Sequence, residues 1–530
     1  MHLSIVIFLP LAAALIGVLL GGRAVRWAAV LGSLGVLGYA VAMLIDFDSS
    51  SGALQYVTDD AWIPQLGIRW SLGLDGLNLL LVALTALLWF AATVGAAFLG
   101  VTRIEERPKL FFFQLALAQS AVLGAFLAQD LAVFVFFFDL MLVPFYFLIG
   151  AWGRGERVAA TTKLVIYTLV GSLLMLAGAI ALGVLSTPSG GQISFSLAEL
   201  AQRPLPEGTQ LWIFVLFALA FLVKMPAFPL HGWMPDGYRA APLAVLIVFS
   251  AVVSKVAAYG FLRIVLPTMP EAALHFQDLM LILAVLSIVY GSALAFSSDD
   301  TRLVLGYSSV AQLGFITLGI FSLTDLGAQG ALMQMVNHGL VVAALFLIVG
   351  LLAARAGGSE SLDDMGGIAS RAPVLAALFL IASLASLAMP GSPNFVGELL
   401  ILFGTLESQI VFGVLACSGV AMAAVYMIRM YQRAMHNGIG AGVESREICR
   451  GELALLAPLV AVIIALGIYP QFALGRSEAT VLGKVAAVEQ LRVPVSGGVI
   501  LPGAQIPEGV PGTPGAPLGP QDPAREPTAP

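Results

Sequence analysis

Runs of about 18 or more apolar residues, each long enough to cross the ~30 Å hydrocarbon layer as a helix, recur along most of the chain. They lie near Leu3–Gly21, Ala28–Ile45, Leu77–Gly100, Leu110–Ala128, Leu131–Gly150, Ala160–Leu185 and Leu211–Pro229. A second set lies near Leu243–Leu266, Leu279–Phe296, Leu303–Leu323, Leu332–Ala354, Ala372–Gly404, Val411–Met427 and Leu453–Leu474. The pattern predicts an all-α membrane protein of about 14 transmembrane helices. The first run has no Lys or Arg ahead of it, so it reads as a retained helix rather than a cleaved signal. Between the second and third runs, Ser49–Arg69 carries turn residues and short alternating pieces that predict a small hairpin. From Gly497 the chain is Pro/Gly-rich without periodicity, and the tail 476–530 is expected to be partly disordered, its first part lying along the membrane surface.

Composition narrows the function classes. Of 530 residues, 59% are hydrophobic and 11% charged, too few charges to cover a soluble protein of this size. Soluble enzymes and nucleic-acid binders are excluded, and the net charge of −6 points to no strongly charged partner. Two cysteines, Cys417 and Cys449, and five scattered histidines leave no zinc, haem or iron-sulfur motif. Basic residues fall on alternate loops: Arg23 and Arg26; Arg103, Arg107 and Lys109; Arg154 and Arg157; Arg239; Arg302; Arg355 and Arg371; Arg429 to Arg450. By the positive-inside rule these loops are inner, Arg69, Arg203 and Arg263 are outer, and both termini lie on the outer side.

Two proline breaks echo one another. Met225-Pro226-Ala227-Phe228-Pro229 reappears as Met389-Pro390-Gly391-Ser392-Pro393. Each interrupts the fourth helix of a block of five, if the blocks begin at Leu110 and Leu279, and five helices reverse a block's orientation. This predicts two inverted five-helix repeats containing broken helices. The expected divisions are 1–109, three helices and an outer loop; 110–266 and 267–436, the repeats; 437–475, the last span; and 476–530, the tail. Carbonyls freed by proline in mid-membrane are tolerated only against protein or water, so both breaks predict a hydrated interior.

Four charged residues fall deep in spans. Asp139 lies about 12 Å into its helix, Lys224 about 20 Å and Lys255 about 18 Å, at 1.5 Å per residue. Glu398 follows the second break. Each costs roughly 2.5–3.5 kcal/mol on insertion scales, so the set is read as functional. Lysine suits proton transfer because desolvation and a neighbouring carboxylate move its pKa in opposite directions. Asp139 is expected to approach Lys224 and hold it protonated; when the contact loosens, the proton passes through water to Lys255. His338, the histidine deep in a span, is a relay candidate, with His231 beyond the proline break and His275 in a loop as weaker ones. Tyr167, Tyr259, Tyr307, Ser308 and Ser309 can order water.

At Lys224-Met225-Pro226, Pro229-Leu230-His231-Gly232-Trp233-Met234-Pro235-Asp236 and Phe395-Val396-Gly397-Glu398 the sequence resembles the antiporter-like membrane subunits of NADH:quinone oxidoreductase, respiratory complex I, above all the subunit M type. Gly73-Leu74-Asp75-Gly76-Leu77, Gly171-Ser172-Leu173-Leu174-Met175-Leu176, Tyr307-Ser308-Ser309-Val310 and Asn337-His338-Gly339-Leu340 extend the likeness over roughly residues 1–475. The resemblance implies a proton-translocating subunit that binds no cofactor, while other subunits oxidise NADH and reduce quinone. It implies L-type and N-type membrane-arm neighbours, the lipid bilayer, protons and water as partners, no nucleic acid, and a bacterial inner (plasma) membrane location. It implies that Asp139 stands at the family's essential glutamate, Lys224 at its paired lysine, Lys255 at the central lysine and Glu398 at the exit-side carboxylate. An Mrp-type cation/proton antiporter subunit and a membrane subunit of an energy-converting hydrogenase are the alternatives.

Three departures matter. Asp139 is one methylene short of glutamate, which lengthens the Lys224 contact by about 1 Å. Gln312 replaces a histidine common in the family and cannot titrate near neutrality, so the step after Lys255 needs water or His338. Pro235-Asp236-Gly237-Tyr238-Arg239 departs from the usual Pro-Asp-Ala-His and weakens the case for a proton-carrying histidine on that loop.

Overall fold

A membrane interior offers backbone N–H and C=O groups no water, so apolar runs close into helices that pair those groups internally. A computed structural model describes residues 2–492 apart from 441 and 445, and among them thirteen helices are long and apolar enough to span. They match the expected runs with shifted ends. The fourteenth, at 372–404, is two short helices, Pro373–Ser386 and Pro393–Ser408. Leu387–Ser392 joins them, with Ala388 and Gly391 at φ +56° and +91°, a backbone that no helix can continue. The other proline break ends its helix at Lys224, not near Pro229, and the chain re-enters a helix at Met234–Ala240. The hairpin forms as two antiparallel strands, Gln55–Ile63 and Ile68–Leu74.

The two halves use the same tie at opposite faces. Asp130 caps the Leu131–Leu140 helix through the amides of Ala132 and Val133, while the flanking backbone pairs with the loop at Phe195–Leu197. Asp300 caps Thr301–Phe321 through Arg302 and Leu303, and its flanks pair with Glu360–Leu362. In each block of five, the start of the second helix is thus stitched to the loop before the fourth. Asp130 also accepts the amide of hairpin residue Arg69, whereas Asp300 meets Arg239 among the arginine-rich loops. One tie sits on the hairpin face and its counterpart on the arginine face, as inversion requires.

Three expectations are corrected. Arg263 is not on a loop: it is buried in the Leu243–Thr268 span and paired with Asp75, which offsets part of the cost of placing it there. The last span runs Arg450–Ile468, and after Tyr469-Pro470 the helix Gln471–Arg492 folds over the hairpin face, so residues 476–492 are helical because Val481, Val485 and Val488 bury a stripe. The expected disorder beyond 492 lies outside the described residues. His275 ends a short helix, Pro270–His275, rather than sitting in a loop.

Candidate functional site

The helix Leu131–Leu140 ends one residue after Asp139, and Leu142–Trp152 begins after Met141. This break brings a backbone carbonyl into the interior. Lys224, the last residue of Glu207–Lys224, donates from Nζ to the Phe138 carbonyl at 2.7 Å and lies 3.4 Å over the Phe138 ring. The ammonium thus gains a hydrogen bond and a cation–π contact in an apolar site. The expected Asp139–Lys224 ion pair does not form: Asp139 Oδ1 has no hydrogen-bond partner among the described residues. The short side chain leaves the lysine to the carbonyl one residue before it. A cavity lined by Lys224, Ser172, Thr168 and Ser254 adjoins the break. It offers a water centre about 20 Å³, above the ~10–15 Å³ that one water needs.

Lys255 occupies the middle of Leu243–Thr268, a span with every residue of its apolar window buried. Two π-helical turns, Phe249–Val253 and Phe261–Val265, flank it. Such turns widen a helix and loosen its carbonyl ladder, and they gather at functional sites. Lys255 Nζ takes up the Ser250 carbonyl at 3.0 Å, inside the first of them. The Asp325–Arg355 helix presses against that turn at Gly339, where a Cβ would stand 2.8 Å from the Ala251 carbonyl oxygen. His338 is the residue before this close approach and is itself buried. Both ring nitrogens of His338 are buried without a partner among the described residues.

Glu398 lies in the second turn of Pro393–Ser408. Gln312 Nε2 donates to its Oε1 at 2.8 Å, and Gln334 Nε2 bonds Gln312 Oε1 at 2.6 Å and Glu398 Oε1 at 3.5 Å. The amide that cannot titrate therefore positions the carboxylate. Asn337 ties the broken helix down by donating to the Pro393 carbonyl at 2.7 Å. Around this knot Glu398 Oε2, Gln334 Oε1, Asn337 Oδ1 and both polar atoms of Asn394 are buried and unpaired. Buried polar atoms in such number call for water. Gln334 and Asn394 were not singled out in the sequence, although Gln334, Asn337 and His338 fall on one helix face at i, i+3 and i+4, as do Asn394 and Glu398 at i, i+4.

The site therefore has three parts: Lys224 at a water-sized cavity that Ser254 shares, Lys255 beside His338, and Glu398 within an amide cluster rich in unpaired atoms. Asp139 follows the residue whose carbonyl Lys224 bonds and makes no bond to Lys224 itself. Tyr426 and Ser308 meet at 2.9 Å beside the third.

A family model described as "NADH:quinone oxidoreductase/Mrp antiporter, TM" matches residues 128–423, which hold all five residues. A chain 4 of the NAD(P)H-quinone oxidoreductase of Synechococcus is 35% identical over 505 residues, covering 92% of this chain and 93% of that one. Subunit M of the NADH-quinone oxidoreductase of Rickettsia conorii is 35% identical over 478 residues, covering 88% and 95%. Among solved structures, respiratory complex I from Thermus thermophilus holds a chain with a TM-score of 0.83 at 30% identity, covering 92% of this chain and all of that one. The Mrp complex of Dietzia holds one with a TM-score of 0.78 at 22%, a likeness of fold alone. With most of its length matched and its buried charges inside the shared region, the chain belongs to the NADH:quinone oxidoreductase/Mrp antiporter family, alongside its subunit M and chain 4 members.

Proposed function

We propose that the chain is an antiporter-like, proton-translocating membrane subunit of a bacterial NADH:quinone oxidoreductase, pumping while other subunits carry out the redox chemistry. It holds no cofactor in this reading and packs between L-type and N-type neighbours in the inner membrane. The arginine face is cytoplasmic, and the hairpin face with the chain termini is outside. The observation that carries the reading is the row of buried basic and acidic groups, Lys224, Lys255, His338 and Glu398, with a water-sized cavity at one end and unpaired polar atoms at the other. A proton held on Lys224, which Asp139 approaches when the contact closes, moves through the cavity water to Lys255. It then passes by His338, through water held by Asn337, Gln334 and Asn394, to Glu398 and out beside the broken helix.

In assembled complex reconstituted into vesicles, Lys224→Ala and Glu398→Gln are expected to cut proton pumping at least tenfold while NADH oxidation by an artificial acceptor stays within about twofold. Normal pumping by both variants sinks the reading. Subunits that co-purify from native membranes test the assembly: Mrp-type antiporter subunits or a nickel-iron hydrogenase in place of quinone-reducing partners would reassign it.

A further inference from the structure

The central helix poses a problem for any pump built on Lys255. Lys255, Tyr259 and Arg263 follow one another at i, i+4 and i+8, a polar stripe running about 12 Å from the central lysine toward the hairpin face. Such a stripe offers a short way out that bypasses Glu398.

The bonding along it is closed. Arg263 donates from both terminal nitrogens to Asp75, at 2.7 Å each, and from Nε to the Tyr259 hydroxyl at 2.7 Å. Tyr259 passes its own hydrogen to the Phe126 carbonyl at 2.9 Å, and that oxygen also accepts Asn78 Nδ2 at 2.8 Å. Asn78 Oδ1 accepts the Asp75 amide at 2.9 Å, and Asp75 Oδ1 accepts the Leu77 amide at 3.0 Å. None of these side chains has a buried polar atom left unpaired, in contrast to the cluster around His338 and Glu398. A proton wire needs groups that accept and donate in series. Guanidinium has no acceptor, and this chain of donors ends on a carbonyl with both lone pairs engaged.

A second layer covers the network. The Gln471–Arg492 helix is pinned over the Asp75 turn, where Thr480 Oγ1 accepts the Gly76 amide at 3.1 Å. Lys484 follows Thr480 by one helical turn, on the side of that helix that meets the Asp75 turn, and adds a second cation to the network. Burial first, then Arg263, bring its pKa down to about 8, so its ammonium persists at pH 7. Two cations against one carboxylate leave a positive excess, which repels a further proton.

Building on the translocation reading, we propose that Asp75, Tyr259, Arg263 and Lys484 form a proton seal that closes the direct route from Lys255 to the hairpin face and forces the proton sideways through His338 to Glu398. These are positioning residues that carry no proton themselves.

The test is passive leak in vesicles holding the assembled complex, without NADH, as decay of an imposed pH gradient per complex. Asp75→Asn with Arg263→Gln removes both charges and installs amides that accept as well as donate. Leak is expected to rise at least fivefold and to return to the unaltered level when Lys255→Ala is added, because the path runs through that lysine. Unchanged leak, or leak that survives Lys255→Ala, overturns the seal. Should the double variant fail to assemble, Lys484→Gln decides: a twofold or greater rise supports the seal and no rise overturns it. Lys224→Ala reads pumping rather than leak, so failure of the translocation reading is seen separately.

Discussion

At the scale of the residue, Asp139 is one methylene shorter than a glutamate, and the geometry follows that difference. Lys224 bonds the Phe138 carbonyl and Asp139 keeps an unpaired oxygen. Asp139→Glu is therefore expected to close the contact and keep pumping within about twofold, whereas Asp139→Ala removes the carboxylate and drops pumping about tenfold; a fully active alanine variant would remove Asp139 from the path. The four buried charges, Asp139, Lys224, Lys255 and Glu398, were legible because charge in an apolar run is expensive enough to stand out. Gln334 and Asn394 were not, since an amide costs less, and only the packing reveals that they are buried with atoms unsatisfied.

At the scale of the element, helix ends decide where the chemistry sits. The broken helix starts at Pro373, and its first free amides, Val374 and Leu375, are met by Glu447 from a loop 73 and 72 residues away, at 2.9 and 3.2 Å. Burial alone would raise the Glu447 carboxyl, but the amides of Ile448, Val374 and Leu375, helped by Arg355, outweigh it and hold the group below the usual glutamate range. A depressed carboxylate stabilises the fold above the ordinary value of about 4.3, and that stability is lost as pH falls through the folded value. Amide hydrogen exchange at Val374 and Leu375 is expected to quicken as pH drops from about 5 toward 3, after correction for intrinsic rates. Glu447→Ala should abolish that dependence and loosen the helix start by about 1 kcal/mol, the usual worth of a cap. Corrected exchange that stays flat with pH in the unaltered protein would exclude Glu447 as the cap. Proline spacing disclosed both helix breaks, but the cap spans a distance in sequence that no local pattern encodes.

At the scale of the whole molecule, the arginine face is laced together by charge. Glu360 bonds both Arg154 and Arg302, and buried Arg302 also reaches the carbonyls of Tyr238 and Ala241, so three loops meet at one carboxylate. Glu360→Ala strands a buried guanidinium, at roughly 3–5 kcal/mol for breaking such a pair, and should lower the complex's thermal midpoint by several degrees. Glu360→Gln, which keeps hydrogen-bond acceptance, should recover part of that loss; equal midpoints for all three forms would show the lacing to be inert. The same loops were grouped on one side by their basic residues alone. The sequence by itself determined the membrane class, the spans, the paired breaks and the identity of the costly charges, because each follows from transfer of side chains and backbone out of water, a property of local composition. Tertiary structure alone decided which groups touch: Lys224 with a carbonyl instead of Asp139, Gln312 with Glu398, Arg263 inside the bundle with Asp75. Those choices depend on side chains brought within 3 Å from distant parts of the chain, where hydrogen-bond geometry, not hydropathy, selects the partner.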